Sequence, residues 1–292
     1  MYNRVMLRAI FKTMRPRQWT KNAFIFAAIV FDVKLFHPIP FLRTLAGFGL
    51  FCLMSSAVYI FNDLMDVNTD RLHPVKKNRP IPSGKIPMGL AFLIGLVLAI
   101  VSLGLAALLA WQFALVLLIY LALMLAYSRW LKHIPILDVF IIATGFVLRV
   151  HAGTTLIQVQ RFSPWLYVVM TLLALYLGFG KRRAELALLA NGAGEHRKVL
   201  DGYSIPLLDQ YIIIVSGTTV VAYSLYTFFR PDAPLDLMLT IPFVVYAIFR
   251  YLYVIQIKNA GGEPEEVLLT DRPLQIAILL WGLMVLITFY LT

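Results

Sequence analysis

Apolar positions along this chain gather into long runs separated by short polar stretches. The runs predict nine membrane spans, near 22–37, 41–62, 88–110, 112–130, 135–157, 164–180, 209–229, 235–257 and 274–291. Most reach the roughly 20 residues a helix needs to cross hydrocarbon. The first is short and carries Asp32 and Lys34, and the sixth is short as well. Residues 1–21 form an N-terminal interfacial segment. Within it, 1–17 predict an amphipathic helix, with Arg4, Arg8, Lys12 and Arg15 as a basic stripe and Val5, Leu7, Ile10, Phe11 and Met14 as apolar surface. Trp19 then sits at interface depth. The fold class that follows is an all-α polytopic membrane protein, one integral domain over residues 1–292.

Composition sharpens that picture. Hydrophobic residues make up 60% of the chain and the mean hydropathy is +0.80, beyond the share of a soluble domain. The single cysteine, Cys52, allows no disulfide framework, so the helices must hold by packing. A net charge of +11 in such a chain first signals orientation and anionic lipid head groups, and nucleic acid is not an expected partner. No cleavable signal is expected, because the first 21 residues lack an uninterrupted apolar core.

The charges also choose a side. With nine spans, 21 of the 26 Lys and Arg residues fall on the face shared by the N-terminus and the even-numbered loops, which places that face in the cytoplasm of a cell (inner) membrane. Twelve of the 15 acidic residues lie there too, and so do the two long polar loops, 63–87 and 181–208. Charges crowded at one face, with Arg149 alone at depth, argue against a transporter or channel.

The candidate chemistry concentrates at the end of the second span. Asn62, Asp63, Asp66 and Asp70 fall within nine residues. On a continuous helix Asn62, Asp66 and Asp70 form an i, i+4, i+8 row, with Asp63 about 20° from Asp70. Like charges at that spacing repel, so a cation is expected among them, and Mg²⁺ commonly shares its shell with substrate phosphates. Lys76, Lys77 and Arg79 follow and suit the remaining phosphate charge. Asp63, Asp66 and Asp70 are the candidate catalytic residues, and with Asn62 they are the candidate metal ligands. The alternative is a solvated helix end at the membrane surface.

The motif Asn62-Asp63-x-x-Asp66-x-x-x-Asp70, followed by Arg79-Pro80-Ile81-Pro82-Ser83-Gly84, resembles the first aspartate motif of the UbiA-type intramembrane prenyltransferases. That resemblance implies helices around a central cleft open to the cytoplasm and to lipid. Where most members carry a second aspartate-rich motif, this chain has Gly180-Lys181-Arg182-Arg183-Ala184-Glu185-Leu186, which is basic. A basic site prefers bare phosphate over phosphate already carrying metal.

Five stretches resemble the decaprenyl-phosphate phosphoribosyltransferase branch: Arg15-Pro16-x-Gln18-Trp19-x-Lys21-Asn22, Tyr127-Ser128-x-x-Leu131-Lys132, Asp138-Val139, Lys181 to Leu186, and Glu265 to Arg272. The branch implies a 5-phosphoribosyl-1-diphosphate donor, a polyprenyl phosphate acceptor and Mg²⁺, in cell-envelope glycan precursor synthesis. With it come substrate-binding roles for Tyr127, Lys132, Asp138, Lys181, Arg182, Arg183 and Glu185, and for Tyr203 in the same loop as the basic motif. Prenyl transfer from a prenyl diphosphate to an aromatic or quinone precursor is the alternative within the superfamily, and a homo-oligomer is compatible with either.

Three features keep two readings each. Lys21 and Asn22 open the first span as phosphate ligands or as an interfacial anchor. Arg149 lies about 16 Å below Asp138 on one helical stripe, either reaching substrate or clamped internally. Thr270-Asp271-Arg272-Pro273 has a plain helix-capping explanation.

Overall fold

In hydrocarbon every backbone N–H and C=O must pair within its own segment, so apolar runs fold as helices. The computed structural model describes residues 2–157, 159, 163–190, 198–229, 235–258 and 264–291, and all regular structure among them is helical. In chain order come α1 (Tyr2–Thr13), a 3₁₀ helix (Pro16–Phe26), α2 (Ala27–Phe31), α3 (Pro38–Met65), α4 (Val67–Leu72), α5 (Met88–Leu109) and α6 (Trp111–Arg129). They are followed by α7 (Leu137–Leu156), α8 (Pro164–Ala190), α9 (Ile205–Phe229), α10 (Ile241–Gln256), α11 (Pro264–Thr270) and α12 (Arg272–Tyr290).

Eight helical segments among the described residues are long and apolar enough to cross a membrane: α3, α5 to α9, α10 together with the 3₁₀ turn before it (Asp236–Gln256), and α12. They match the second to ninth expected spans. At the first, 22–37, the structure differs: the chain runs as the 3₁₀ helix and then five residues of α2. An 11-residue 3₁₀ run is long for that geometry. It is held by side chains on α3, with Trp19 Nε1 donating to Ser56 Oγ at 3.1 Å and Asn22 Nδ2 to Ser55 Oγ at 3.1 Å. The sixth span also differs, since α8 continues past residue 180 to Ala190 and the basic motif stands on a helix, not in a loop. Residues 191–197 of that expected loop lie outside the described residues.

The chain divides into two compact units, residues 1–131 with 148–160 and residues 132–147 with 161–292. In the first unit α3 is the spine. α1 sets Met6, Ala9 and Ile10 against a cluster that includes Ile60, Val67, Ile86 and Ala91, leaving Leu7 and Phe11 exposed beside Arg8 and Lys12. The helix expected over 1–17 thus forms as α1 over Tyr2–Thr13, and Arg15 leaves its basic stripe. Arg43 donates to Leu156 O and Leu109 O, both at 2.8 Å, satisfying the last carbonyls of α7 and α5. In the second unit Val139 and Ala143 of α7 join Tyr176 and Phe179 of α8, Ile212 of α9, Tyr251 and Ile255 of α10, and Leu274 of α12 in one core.

Without a solvent drive between helices in lipid, close approach of small residues supplies much of the packing. Gly153 is the tightest case: a Cβ there would lie 2.1 Å from Ile25 O, a backbone atom that cannot swing aside. Gly153→Ala is expected to destabilise the first unit by about 1–3 kcal/mol, read as a lower midpoint in thermal unfolding of the purified protein in detergent. An unchanged midpoint would contradict the contact.

Candidate functional site

The acidic stretch does not form the continuous row that helical periodicity predicts. α3 ends at Met65, Asp66 takes a non-helical conformation (φ −95°, ψ 5°), and α4 starts afresh at Val67. The break is stitched by Asp66 N donating to Asn62 O at 3.0 Å and Asp70 N to Asp66 O at 2.8 Å. It turns Asp63 and Asp70 toward a common partner. Arg79 Nη1 donates to Asp63 Oδ1 at 3.2 Å and to Asp70 Oδ2 at 2.8 Å. Arg15 donates to the same Asp63 oxygen and lies over the Tyr59 ring, 4.9 Å from its centroid. Asp63 is 1% exposed and Asp70 5%.

Arg15 joins this cluster, although the sequence reading left it inside the amphipathic stripe. Its backbone is left-handed (φ 53°), which ends α1 and swings the guanidinium toward Asp63, just before Pro16 starts the 3₁₀ helix. The signal available in the sequence was that Arg15-Pro16 pair, since Pro is favoured at the first helical position.

Two buried carboxylates on one guanidinium nitrogen have the donor chemistry of a Mg²⁺ site, because Mg²⁺ takes one or two carboxylates and fills its shell with phosphate and water. Asp63 and Asp70 fit that description. Among the described residues no three His, Cys, Asp or Glu side chains converge as one ligand set, so Asn62 and Asp66 flank the pair without making a closed cage. The basic tail is organised beside it. Lys76 and Lys77 stand on the 3₁₀ turn Lys76–Asn78, which His73 Nδ1 caps by accepting from Val75 N and Lys76 N at 3.0 Å each. Lys77 is exposed and Lys76 half-buried.

Deeper in the first unit Arg149 takes the internal alternative. Its Nε donates to Asn22 Oδ1 at 2.8 Å and its Nη2 to Tyr120 Oη at 2.9 Å, with the guanidinium over the Phe51 and Tyr120 rings. Arg149 is 5% exposed and Asn22 fully buried. This network fixes the middle of the 3₁₀ helix, where Lys21 is half-buried. Tyr127, half-buried on α6, belongs to the same unit.

In the second unit the basic motif is largely spent on internal pairs. Arg182, 3% exposed, donates from Nε to Asp138 Oδ2 at 2.6 Å and from Nη1 to Glu185 Oε2 at 2.5 Å. Asp138 is wholly buried, and its other oxygen accepts from Tyr203 Oη at 2.7 Å. Arg183 donates to Asp209 Oδ1 at 2.6 Å. Burial, and then donation to the Asp138 carboxylate, push the Tyr203 phenol above its ordinary pKa. Asp138, Arg182, Glu185 and Tyr203 thus form one network and Arg183 a separate pair with Asp209, with Lys132 and Lys181 half-buried.

The capping explanation for Asp271 is borne out: its Oδ1 accepts from Leu274 N at 3.1 Å at the start of α12. Arg250 adds a bidentate pair at 2.9 Å and Lys258 a contact at 3.1 Å, and hydrogen bonding from Arg250 holds this carboxyl below the usual range.

Comparison with known proteins extends over most of the chain. The UbiA prenyltransferase family pattern matches residues 23–270. A decaprenyl-phosphate phosphoribosyltransferase of Mycolicibacterium smegmatis is 36% identical, covering 94% of this chain and 91% of its own length. One of Corynebacterium glutamicum is 33% identical over 96% and 86%. A UbiA homolog from Archaeoglobus fulgidus, solved with GPP and Mg²⁺, superposes with a TM-score of 0.74 at 18% identity, covering 96% of this chain and 98% of that one.

Proposed function

This chain belongs to the UbiA prenyltransferase family and is a transferase, and from that premise we propose that it moves a 5-phosphoribosyl group from 5-phosphoribosyl-1-diphosphate to a polyprenyl phosphate. The observation that carries the reading is the single acidic pair, Asp63 and Asp70, set against Arg79 and Arg15. One such pair suits one metal-bound diphosphate. The position where a second acidic motif is common in the family instead carries Lys181 and arginines tied to buried acids. The names of the full-length relatives support the same donor and acceptor classes.

In the reaction the bond from ribose C1 to the diphosphate breaks as an oxygen of the lipid phosphate bonds to C1. Asp63 and Asp70 would hold Mg²⁺, flanked by Asn62 and Asp66, and bound there it neutralises the departing diphosphate. Arg79, Lys76 and Lys77 meet the leaving-group oxygens as their charge grows. Lys21, Lys132 and Lys181 are the cations for the donor 5-phosphate and the lipid phosphate. The acceptor oxygen is already anionic at pH 7, so no general base is required and no His or Cys is given that role. The N-terminus and both polar connections face the cytoplasm of the cell (inner) membrane, and the prenyl tail stays in lipid. The product is a precursor for cell-envelope glycan.

Purified protein given Mg²⁺, the sugar donor and a polyprenyl phosphate is expected to form phosphoribosyl lipid and release one diphosphate per turnover, and EDTA is expected to stop it. Absence of phosphoribosyl lipid, with labelled prenyl diphosphate consumed on an aromatic acceptor instead, would overturn the reading in favour of prenyl transfer.

A further inference from the structure

The segment before α7 is held in an expensive conformation. Ile136 has a left-handed backbone (φ 69°), which is unfavourable for a β-branched residue by about 1–3 kcal/mol. Such a conformation persists only where its surroundings over-determine it, and here three contacts do so. Ile136 N donates to the Tyr203 hydroxyl oxygen, and that hydroxyl in turn donates to Asp138. Pro135 packs on Gly202 so closely that a Cβ at 202 would fall 2.3 Å from Pro135 Cγ. Asp138 N donates to Ile134 O at 3.0 Å, closing the turn into α7.

The same hydroxyl begins a chain of bonds that ends on α8. It runs from Tyr203 through the fully buried Asp138 carboxylate to Arg182 and on to Glu185. Three stretches far apart in sequence are thereby tied within one unit: residues 134–138 leading into α7, the C-terminal part of α8, and the 3₁₀ turn Lys198–Gly202 leading to Tyr203. Lys132 is four residues before the strained Ile136, and Lys181 directly precedes Arg182. Both lysines are half-buried, whereas Asp138, Arg182 and Tyr203 are buried.

We propose that Tyr203, Asp138 and Arg182 are positioning residues: a latch that fixes the backbone carrying Lys132 and Lys181 so that those lysines meet substrate phosphate. The latch residues themselves do not touch it. This rests on the function proposed above, in which Lys132 and Lys181 take phosphate. Tyr203→Phe is the direct probe, since the ring stays and only the hydroxyl shared by Ile136 and Asp138 is lost.

Full-length protein in detergent is titrated with inorganic phosphate, assayed for donor turnover, and followed by amide exchange. Tyr203→Phe is expected to speed exchange at Ile136, to weaken phosphate binding and raise KM for the sugar donor about tenfold, and to leave kcat within about a factor of three. A lower thermal midpoint with unchanged Kd and KM overturns the proposal and leaves a purely structural contact. Gly202→Ala, which displaces Pro135 without touching a charge, is expected to weaken phosphate binding in the same direction, and unchanged binding there also overturns it. If wild type binds phosphate but makes no phosphoribosyl lipid, the reaction assignment falls. The latch then stands or falls on the phosphate Kd of the two variants.

Discussion

Asp70→Asn is expected to slow phosphoribosyl transfer on the order of 10²-fold, the scale of removing one electrostatic contact to a charge that grows in the transition state. The fold is expected to tolerate it. Arg79 keeps its bond to Asp63, and an asparagine oxygen still accepts from Nη1, so the cost is about 1–2 kcal/mol. Asp63→Asn is a poorer probe. Asp63 is 1% exposed and carries both Arg15 and Arg79, so a loss of activity there would mix catalysis with packing. Initial rates across a Mg²⁺ titration give the second half of the test. If Asp70 holds the metal, the variant requires more Mg²⁺ for half-maximal rate, and EDTA abolishes what remains. Asp66→Ala, at the helix break, is expected to fall in the same direction, because Asp66 flanks the pair and its residue ends α3. Activity that survives both substitutions and EDTA would falsify the metal argument.

What the sequence made legible, and what it hid, divides along physical lines. Long apolar runs located α3, α5 to α10 and α12, because in lipid the length of such a run nearly dictates a helix. The Asp271 cap was legible for a similar reason, since capping is local chemistry. Tertiary pairing was not. Nothing between Asn62 and Asp70 is a Gly or Pro, so no local signal marks the break at Asp66. It accompanies the convergence of Asp63 and Asp70 on Arg79, 16 and 9 residues away. The basic motif failed for the same reason. Lys181, Arg182 and Arg183 look alike as cations, but Asp138 claims Arg182 from 44 residues away and Asp209 claims Arg183 from 26. A phosphate ligand and half of a buried ion pair have the same one-letter code. Only the acid opposite tells them apart.

That ion pair sets the largest stability effect expected in the molecule. Asp138→Ala is expected to destabilise the protein by about 3–5 kcal/mol, because it takes from the Arg182 guanidinium, 3% exposed, the fully buried carboxylate it pairs with and leaves the Tyr203 hydroxyl without that acceptor. Asp138 also lies in the first turn of α7, where a carboxylate is favoured by the helix dipole, so its loss removes a second favourable term. The penalty is chiefly that of an unbalanced buried charge, and this has a consequence that simple loss of contact lacks. Adding Arg182→Met to Asp138→Ala removes the stranded charge and is expected to recover part of the loss, so the double variant is more stable than the sum of the two single changes. Unfolding by SDS titration in mixed micelles, run on wild type, both single variants and the double, measures that coupling. Additive losses would mean that Asp138 and Arg182 are independent packing residues, and the buried network would then hold neither the turn at Ile136 nor the end of α8.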